Sequence, residues 1–167
     1  MYLDKAVAFC DFNDDVQVII HLFKYEGMVS LSDNMAKIIA GAFQYDLDFQ
    51  VADLIIPVPL NLSRKRERGY NQSELLGKTV SRLSGVKMEH KAMRRVRDTK
   101  TQTKLNHQQR LKNVSNAFKI KSPQIIAGKS IILLDDVITT GATMNACAKA
   151  LKDAGAKNVL ALALVKA

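Results

Sequence analysis

Residues 131 to 143, with the sequence IILLDDVITTGAT, constrain the fold of this chain more than any other stretch. Four consecutive apolar residues, Ile131 to Leu134, predict a strand that is buried on both faces, as strands of parallel sheets are. A helical pattern follows from about Ala142 to Ala154, and the apolar run from Asn158 to Val165 predicts a last strand. A strand, a helix and a strand in this order indicate an α/β fold with a mostly parallel sheet.

The N-terminal part of the chain carries two amphipathic patterns of helical spacing. Asn13 is a suitable N-cap, and the apolar positions that follow it recur on one face as far as Gly27. A second pattern of the same kind runs from Leu31 to Phe43. The chain is therefore expected to open with two helices, at about residues 14–45, within a single domain that spans residues 1–167.

A further buried strand is predicted at residues 52 to 60, ADLIIPVPL. We expect it to deliver a basic loop, NLSRKRERG, after which Asn71 and Glu74 stand at capping-box spacing and begin a helix. Apolar residues are almost absent between about Arg94 and Asn113, so that segment cannot bury enough surface to order itself firmly. A mobile loop is predicted there.

Positive charge is concentrated in one part of the chain. Residues 61 to 112 hold 15 of the 25 Lys and Arg residues but only 4 of the 16 Asp and Glu residues, so this segment has a net charge of +11 in a chain of +9. A solvated surface is the simplest interpretation. Like charges at this density nevertheless repel one another unless an anion lies among them. A polyanion or a phosphorylated small molecule is therefore the first partner to consider.

Several classes of protein are disfavoured by the composition. The 47% of hydrophobic residues occur in short runs, and none approaches the roughly 18 apolar residues of a membrane span. The first residues lack the pattern of a secretory signal, so we expect no membrane association and a cytoplasmic location. Cys10 and Cys147 stand far apart and do not form a metal-binding pattern, although a disulfide between them is not excluded by sequence.

Two neighbouring carboxylates, Asp135 and Asp136, stand at the predicted carboxyl end of a buried strand, where ligands bind in open α/β sheets. The alternative is that no ligand binds there: one of the two aspartates caps the next helix and the other is solvated. Gly141 permits a close backbone approach, and the N–H groups at the start of the next helix can bind a phosphate. Carboxylates accept hydrogen bonds from a diol and attract Mg²⁺. Together these features indicate a site for a ribose 5-phosphate.

Three other sites with similar residues fit less well. A nucleoside triphosphatase needs G-x-x-x-x-G-K-[ST], and the half-matches at residues 77–79 and 128–130 lack the first glycine. A signalling receiver domain carries its acidic pair after its first strand, not near residue 135 of 167. A dinucleotide site needs G-x-G-x-x-G after a strand, and that spacing does not occur. These three classes are therefore disfavoured.

The stretch IILLDDVITTGAT closely resembles the phosphoribosyl pyrophosphate (PRPP) signature of type I phosphoribosyltransferases. The stretches IPVPLNLSRKRERGYNQSELL, RRVRDTKTQTKLNHQQRLKNVSNAF and AGAKNV resemble, in order, blocks of the ComF family, which includes GntX-type proteins and is named for a bacterial competence factor for DNA uptake. The resemblance covers about residues 16 to 165. It implies the type I fold, a central parallel sheet flanked by helices, with a mobile basic loop over the site and the N-terminal helices as a hood or flank.

The resemblance also implies roles for particular residues. Asp135 and Asp136 would hold the ribose hydroxyls, directly or through Mg²⁺, and are the candidate metal ligands. The candidates for the 5-phosphate are Thr139, Thr140, Gly141, Ala142 and Thr143. The candidates for the pyrophosphate are Arg64, Arg66 and Arg68; the alternative is that at most one of them contacts the ligand and the others face solvent. The candidate catalytic residues of the mobile loop are Arg95, Arg97, Lys100 and Lys104.

Two functions remain open at this point. One is Mg²⁺-dependent transfer of the phosphoribosyl group from PRPP to a nitrogen nucleophile with release of pyrophosphate. The other is a binding module without catalysis, which senses PRPP or a nucleotide or contacts single-stranded DNA through the +11 segment. Relatives are often dimers, so a homodimer is an expectation from the resemblance. ComF relatives commonly carry an N-terminal zinc segment with C-x-x-C pairs, which is not found here, so no structural zinc is expected.

Overall fold

The computed structural model describes residues 1–96 and 116–167. The strands of these two ranges are β1 (Lys5–Asp11), β2 (Leu54–Pro57), β3 (Lys87–Met88), β4 (Met93–Arg95), β5 (Phe118–Ile120), β6 (Ser130–Ile138) and β7 (Asn158–Lys166). The helices are α1 (Asp14–Tyr25), α2 (Leu31–Ala40), α3 (Ala42–Tyr45), α4 (Leu47–Gln50), α5 (Leu62–Arg68), α6 (Gln72–Ser84), α7 (Pro123–Ile126) and α8 (Ala142–Asp153).

The central sheet has five strands in the order β1, β7, β6, β2, β3, and all neighbours are parallel. β4 and β5 form a separate antiparallel ribbon. The α/β class and the mostly parallel sheet are thus confirmed. In this sheet β6 lies between β2 and β7, with Leu134 opposite both Pro57 and Leu162. The carboxyl ends of β2 and β6 therefore lie beside each other at the same edge of the sheet.

Both faces of the sheet are covered by helices. On one face, α1, α2 and α6 pack over the sheet and bury Phe23, Ile39 and Leu76 completely. On the other face, α8 and the β4 and β5 ribbon enclose a second core that includes Cys147 and Leu151. Because residues along β6 contribute alternately to the two cores, the strand is buried on both sides. This explains why its sequence is a continuous apolar run.

The prediction that the chain opens with a helix is wrong, because β1 comes first and pairs with β7. As an edge strand β1 is only partly covered, and none of its residues is fully buried. Neither the buried run nor the clear alternation of a strand is therefore visible in its sequence.

The two N-terminal helices that follow β1 are confirmed. Asn13 caps α1 by accepting a hydrogen bond from the N–H of Val16 at 2.9 Å. The helix α2 packs against α6, where the Thr79 hydroxyl donates to Asp33 at 2.6 Å. Ile38 departs from the predicted apolar face of α2, since it is 49% exposed.

The segment after β2 is a helix, α5, and not the predicted loop. Asn61 caps it by accepting a hydrogen bond from the N–H of Ser63 at 2.9 Å, and Gly69 ends it in the left-handed region at φ +79°. The apolar pattern of a helix is absent because Leu62, the apolar residue of α5, is itself 67% exposed. Capping at both ends, rather than burial of a face, thus defines this helix.

Gly77, which stood in one of the rejected triphosphatase half-matches, lies inside α6. A Cβ atom at this position would lie 2.7 Å from the Met88 sulfur and 3.4 Å from a methyl group of Leu134. The glycine therefore allows α6 to pack closely on β3 and β6, which is a structural reason for its presence.

The expected mobile loop between about Arg94 and Asn113 begins within β4, where Arg94 pairs with Lys119 of β5. Residues 97–113 of that segment lie outside the described residues. Within residues 1–96 and 116–167, no helix is both long enough and apolar enough to cross a membrane.

Candidate phosphate and sugar site

A cavity of about 600 Å³ lies at the carboxyl ends of β2 and β6. One wall is formed by the end of β6, its loop and the start of α8, and the opposite wall by α5 and the first turn of α6. The end of α1 and the last residue of β4 complete it. The cavity therefore occupies the edge at which open α/β sheets bind their ligands.

Asp135 is held at this edge by two donors to the same oxygen. The Ser73 hydroxyl donates to its Oδ1 at 2.7 Å, and the backbone N–H of Asp136 donates to Oδ1 at 3.0 Å. Ser73 stands in the first turn of α6, so the positive end of that helix faces the carboxylate. These contacts fix the orientation of Asp135 and leave Oδ2 for other partners.

Asp136 is paired with a lysine from the N-terminal helix. Lys24 Nζ lies 2.8 Å from Asp136 Oδ2, close enough for an ion pair, although the angle is not that of a hydrogen bond. Asp136 is 5% exposed, so the carboxylate has lost most of its hydration. A buried carboxylate requires such a counter-charge, because an unpaired ion in the interior is strongly destabilising.

Burial of Asp135 and, second, the charge of Asp136 raise the pKa of Asp135 to about 7. The hydrogen bond from Ser73 and the charge of Lys24 oppose this rise without cancelling it. Two neighbouring carboxyl groups in a poorly hydrated place resist ionising together. The pair consequently favours a ligand that brings hydrogen-bond donors or a cation.

The loop after β6 turns at Gly141, which has φ +72° and precedes the first residue of α8. Thr139, Gly141, Ala142 and Thr143 line the cavity, and the N-terminus of α8 begins there. Thr140 is exposed and lies outside the lining formed by the described residues, and its Oγ1 accepts a weak hydrogen bond from the N–H of Ala142 at 3.4 Å. Four of the five predicted phosphate residues are therefore brought together.

The arginines of α5 divide between the cavity and the solvent. Arg64 and Arg68 line the cavity, whereas Arg66 is exposed and is not part of the described lining. The Arg68 guanidinium lies 4.8 Å from the centroid of the Tyr25 ring, which is a cation–π distance. On a helix of 3.6 residues per turn, positions 64 and 68 share a face and position 66 points away.

Among the predicted loop residues, Arg95 lines the cavity and its guanidinium lies 5.5 Å from the centroid of the Phe118 ring. Arg97, Lys100 and Lys104 lie outside the described residues. Arg95 thus brings a positive charge to the cavity from the ribbon side.

Sequence reasoning missed several residues of the site. Lys24, Tyr25, Gln72 and Ser73 all line the cavity, and none was singled out. Ser73 and Gln72 stand next to the capping residue Asn71, which was the signal available for them. Lys24 and Tyr25 carried no signal, because their contacts are with residues far along the chain.

Tyr70 is partly buried and packs against the N-terminal helix α1. Its hydroxyl donates to the carbonyl oxygen of Phe23, and the two rings lie 6.2 Å apart. Burial raises the pKa of the Tyr70 hydroxyl. Tyr25, which is 59% exposed at the cavity, is the aromatic residue placed to meet a ligand.

The residues present fit a magnesium ion that a phosphorylated ligand helps to hold. Within the described residues no group of three or more His, Cys, Asp or Glu side chains could hold a metal by itself. Mg²⁺ is commonly bound by one or two carboxylates together with water and substrate phosphates. Asp135 and Asp136, which both line the cavity, would supply that pair.

The fold and the site together define a protein of the type I phosphoribosyltransferase class. The fold is similar to that of an allosteric regulatory enzyme of purine biosynthesis, with a TM-score of 0.54 and 20% identity over 81% of this chain and 25% of the other. A glutamine PRPP amidotransferase from B. subtilis, complexed with ADP and GMP, gives a TM-score of 0.53 and 20% identity over 80% and 26%. At this identity the likeness concerns the fold, and it spans about a quarter of each larger chain.

The phosphoribosyl transferase domain family matches residues 34–167. Competence protein F of Haemophilus influenzae is 30% identical over 98% of this chain and 73% of its own length. DNA utilization protein YhgH of Escherichia coli K12 is 30% identical over 93% and 69%, and competence protein ComFC of Streptococcus pneumoniae is 29% identical over 95% and 67%. The chain therefore belongs to the phosphoribosyl transferase family, as a ComF-type member of it.

Proposed function

We propose that the protein binds PRPP with Mg²⁺ and transfers its phosphoribosyl group to a nitrogen nucleophile, releasing pyrophosphate. The observation that carries this proposal is one cavity lined by the paired carboxylates, by the glycine turn at the start of α8 and by three arginines from two other elements. The carboxylates suit a ribose diol, the turn suits a 5-phosphate, and the arginines suit a pyrophosphate.

Each group of residues has a distinct task in this proposal. Asp135 and Asp136 accept hydrogen bonds from the ribose hydroxyls and would hold the metal. The backbone N–H groups after Gly141 bind the 5-phosphate, which fixes the sugar in the cavity. Arg64 and Arg68 bind the pyrophosphate.

In the transfer itself, negative charge grows on the departing pyrophosphate while the sugar becomes oxocarbenium-like. Arginines that are already in position stabilise that charge without reorganisation. Mg²⁺, when bound, would neutralise part of the same charge. Arg95 is proposed to contribute from β4, together with Arg97, Lys100 and Lys104, which lie outside the described residues. The helices at about residues 14–45 are proposed as the hood that holds the acceptor, since Tyr25 at the end of α1 lines the cavity.

Calorimetric titration of PRPP, with and without Mg²⁺, tests this function. We expect Mg²⁺-dependent binding that the double variant Asp135→Asn, Asp136→Asn loses by at least about a hundredfold, because the diol and the metal lose their charged partners. The matched control changes two exposed acids, Asp14→Asn and Asp15→Asn, and should bind as the wild type does. Unchanged PRPP affinity in the site variant would refute the assignment, whereas its loss would justify screening nitrogen nucleophiles for pyrophosphate release.

A second candidate function is nucleotide sensing or binding of single-stranded DNA without catalysis. Two features favour it: the names of the relatives, competence protein and DNA utilization protein, and the +11 charge of residues 61 to 112. Arg66, which is exposed outside the described cavity lining, belongs to this segment and is available to a polyanion. Phosphate contacts of this kind require no base recognition.

Salt dependence separates the two functions. If the basic segment binds DNA, affinity for a single-stranded oligonucleotide should fall at least about tenfold between roughly 50 and 200 mM salt, because counterions are released from the phosphates. Arg66→Gln should weaken DNA binding and leave PRPP binding unchanged. The double aspartate variant should weaken PRPP binding and leave DNA binding unchanged. Absence of DNA binding at low salt would eliminate DNA binding as the second candidate function.

A homodimer is also proposed, with β1 as its candidate surface. β1 forms an edge of the sheet, and Phe9 and Phe12 beside that edge are 37% and 44% exposed. An exposed edge with apolar side chains can pair with another strand. Light scattering coupled to size exclusion would give the mass directly, and a Phe9→Lys variant should shift a dimer to monomer. A monomeric wild type would end this proposal.

A further inference from the structure

Gln72 is a buried side chain in the cavity wall that has an unmet hydrogen-bonding group. It is the first residue of α6, it is 3% exposed, and it lines the cavity. Its Nε2 is buried and has no hydrogen-bond partner among the residues that the structure describes. Buried donors nearly always have partners, because an unmet one destabilises the fold. An unmet donor in a cavity wall thus indicates an acceptor that arrives with a ligand.

The neighbours of Gln72 already perform the structural tasks at this end of α6. Asn71 caps the helix by accepting from the N–H of Ser73 at 3.1 Å, and its Nδ2 donates to the carbonyl oxygen of Val58 at 3.1 Å. The Ser73 hydroxyl is bound to Asp135. The side chain of Gln72 is therefore needed neither to cap the helix nor to hold the carboxylate.

We propose that Gln72 is a ligand-binding residue whose carboxamide N–H donates a hydrogen bond to an oxygen of the phosphorylated ligand. This rests on the proposed function, which it deepens by adding a neutral donor to the charged residues of the site. The terminal torsion of a glutamine is broad, so rotation about it can turn Nε2 from the wall towards the cavity while α6 stays in place.

The position of Gln72 along the chain limits the acceptor. It stands between Arg68, proposed to bind pyrophosphate, and Ser73, which holds the carboxylate proposed to bind ribose. The acceptor is consequently an oxygen of the pyrophosphate or of the sugar. Separate titrations with ribose 5-phosphate and with inorganic pyrophosphate distinguish whether the acceptor oxygen belongs to the sugar or to the pyrophosphate.

Gln72→Met, which keeps the length of the side chain and removes its amide, is the decisive variant. Without ligand, we expect its unfolding midpoint to rise by about 2 to 4 °C, because an unmet buried donor has been removed. With ligand, we expect PRPP affinity to fall at least about tenfold. A glutamine with a purely structural role would lower the midpoint and leave affinity unchanged. Gln17→Met, on the exposed face of α1, is the matched control and should change neither quantity.

The outcomes separate this inference from the proposed function. If the wild type binds PRPP and both Gln72→Met and Gln72→Leu bind it within about twofold, the role of Gln72 is refuted and the function stands. If the wild type binds only pyrophosphate or ribose 5-phosphate, and the variants lose that binding, the role stands and transfer from PRPP falls. The inference is overturned if the wild type binds none of PRPP, pyrophosphate and ribose 5-phosphate. It is also overturned if both Gln72→Met and Gln72→Leu lower the unfolding midpoint in the absence of ligand.

Discussion

Asp135→Asn is expected to make the protein more stable at about pH 8, by about 2 kcal/mol, although it removes a residue of the site. Burial and the neighbouring charge of Asp136 raise the pKa of Asp135 to about 7, so the ionised carboxylate is unfavourable in the folded state. One pKa unit corresponds to about 1.4 kcal/mol, so the shift from 3.8 to about 7 sets an upper limit of about 4 kcal/mol, and we expect about half of it because Asp135 is only partly shielded from water. Asparagine keeps an oxygen for the hydrogen bonds from the Ser73 hydroxyl and the Asp136 N–H, so the local structure should persist.

The same change should have a characteristic pH dependence. In the wild type the folded state binds a proton at Asp135 that the unfolded state releases near its ordinary value of 3.8, so the free energy of unfolding falls as pH rises from about 4 to about 7. The advantage of Asp135→Asn is therefore largest above pH 7 and disappears towards pH 4. Urea unfolding in EDTA at several pH values measures it. An advantage that does not change with pH would contradict the assigned cause.

Asp15→Asn is the control for this measurement. Asp15 is an exposed acid in the first turn of α1, where its charge interacts favourably with the positive end of the helix. Its replacement should change stability by less than about 1 kcal/mol and in the opposite direction. A stabilising effect in both variants would indicate a general response to the loss of negative charge.

Lys24→Met is expected to destabilise the protein by about 3 kcal/mol at about pH 8, because it leaves the carboxylate of Asp136 buried without its cation. Lys24 Nζ lies 2.8 Å from Asp136 Oδ2, and the two side chains are 21% and 7% exposed. Lys37→Met is the matched control, since Lys37 is also a lysine in the last turn of a helix but is exposed. It should cost no more than about 1 kcal/mol.

A second substitution identifies the cause of that loss. If the ion pair is responsible, adding Asp136→Asn to Lys24→Met should restore most of the lost free energy, because no unpaired charge then remains. Denaturant unfolding of the four proteins of this cycle gives the coupling directly. Additive losses from the two changes would show that Lys24 acts through packing instead.

The sequence predicted those parts of the fold that are determined by residues close to one another along the chain. The run from Ile131 to Leu134 is apolar because β6 is buried on both faces, and Gly141 marks the turn into α8 with its positive φ. β1 was missed because an edge strand is half-covered, so its sequence shows neither a continuous apolar run nor a clear alternation of apolar and polar residues. α5 was missed because its ends are capped while its sides remain exposed, so its sequence has no apolar face that would predict a helix.

The candidate site divides in the same way. Asp135, Asp136 and the residues around Gly141 are contiguous, so a single stretch of sequence predicted that they would meet at one cavity. Lys24 could not be predicted, since its partner lies on another element far along the chain and the pairing depends on how α1 crosses the sheet. The spacing of Arg64 and Arg68 became informative only once α5 was known to be a helix.

The order of strands also affects how the protein can be made. β1 is synthesised before its partner in the sheet, β7, and β6 must be synthesised before β2 can pair with it. Most of the sheet must therefore wait until β6 and β7 have left the ribosome. Pairings between such distant segments fold slowly and leave apolar strands open to aggregation in the meantime. A nascent chain that stops before β7 would leave β1 and one edge of β6 without their hydrogen-bonding partner, and such open edges can pair with other chains.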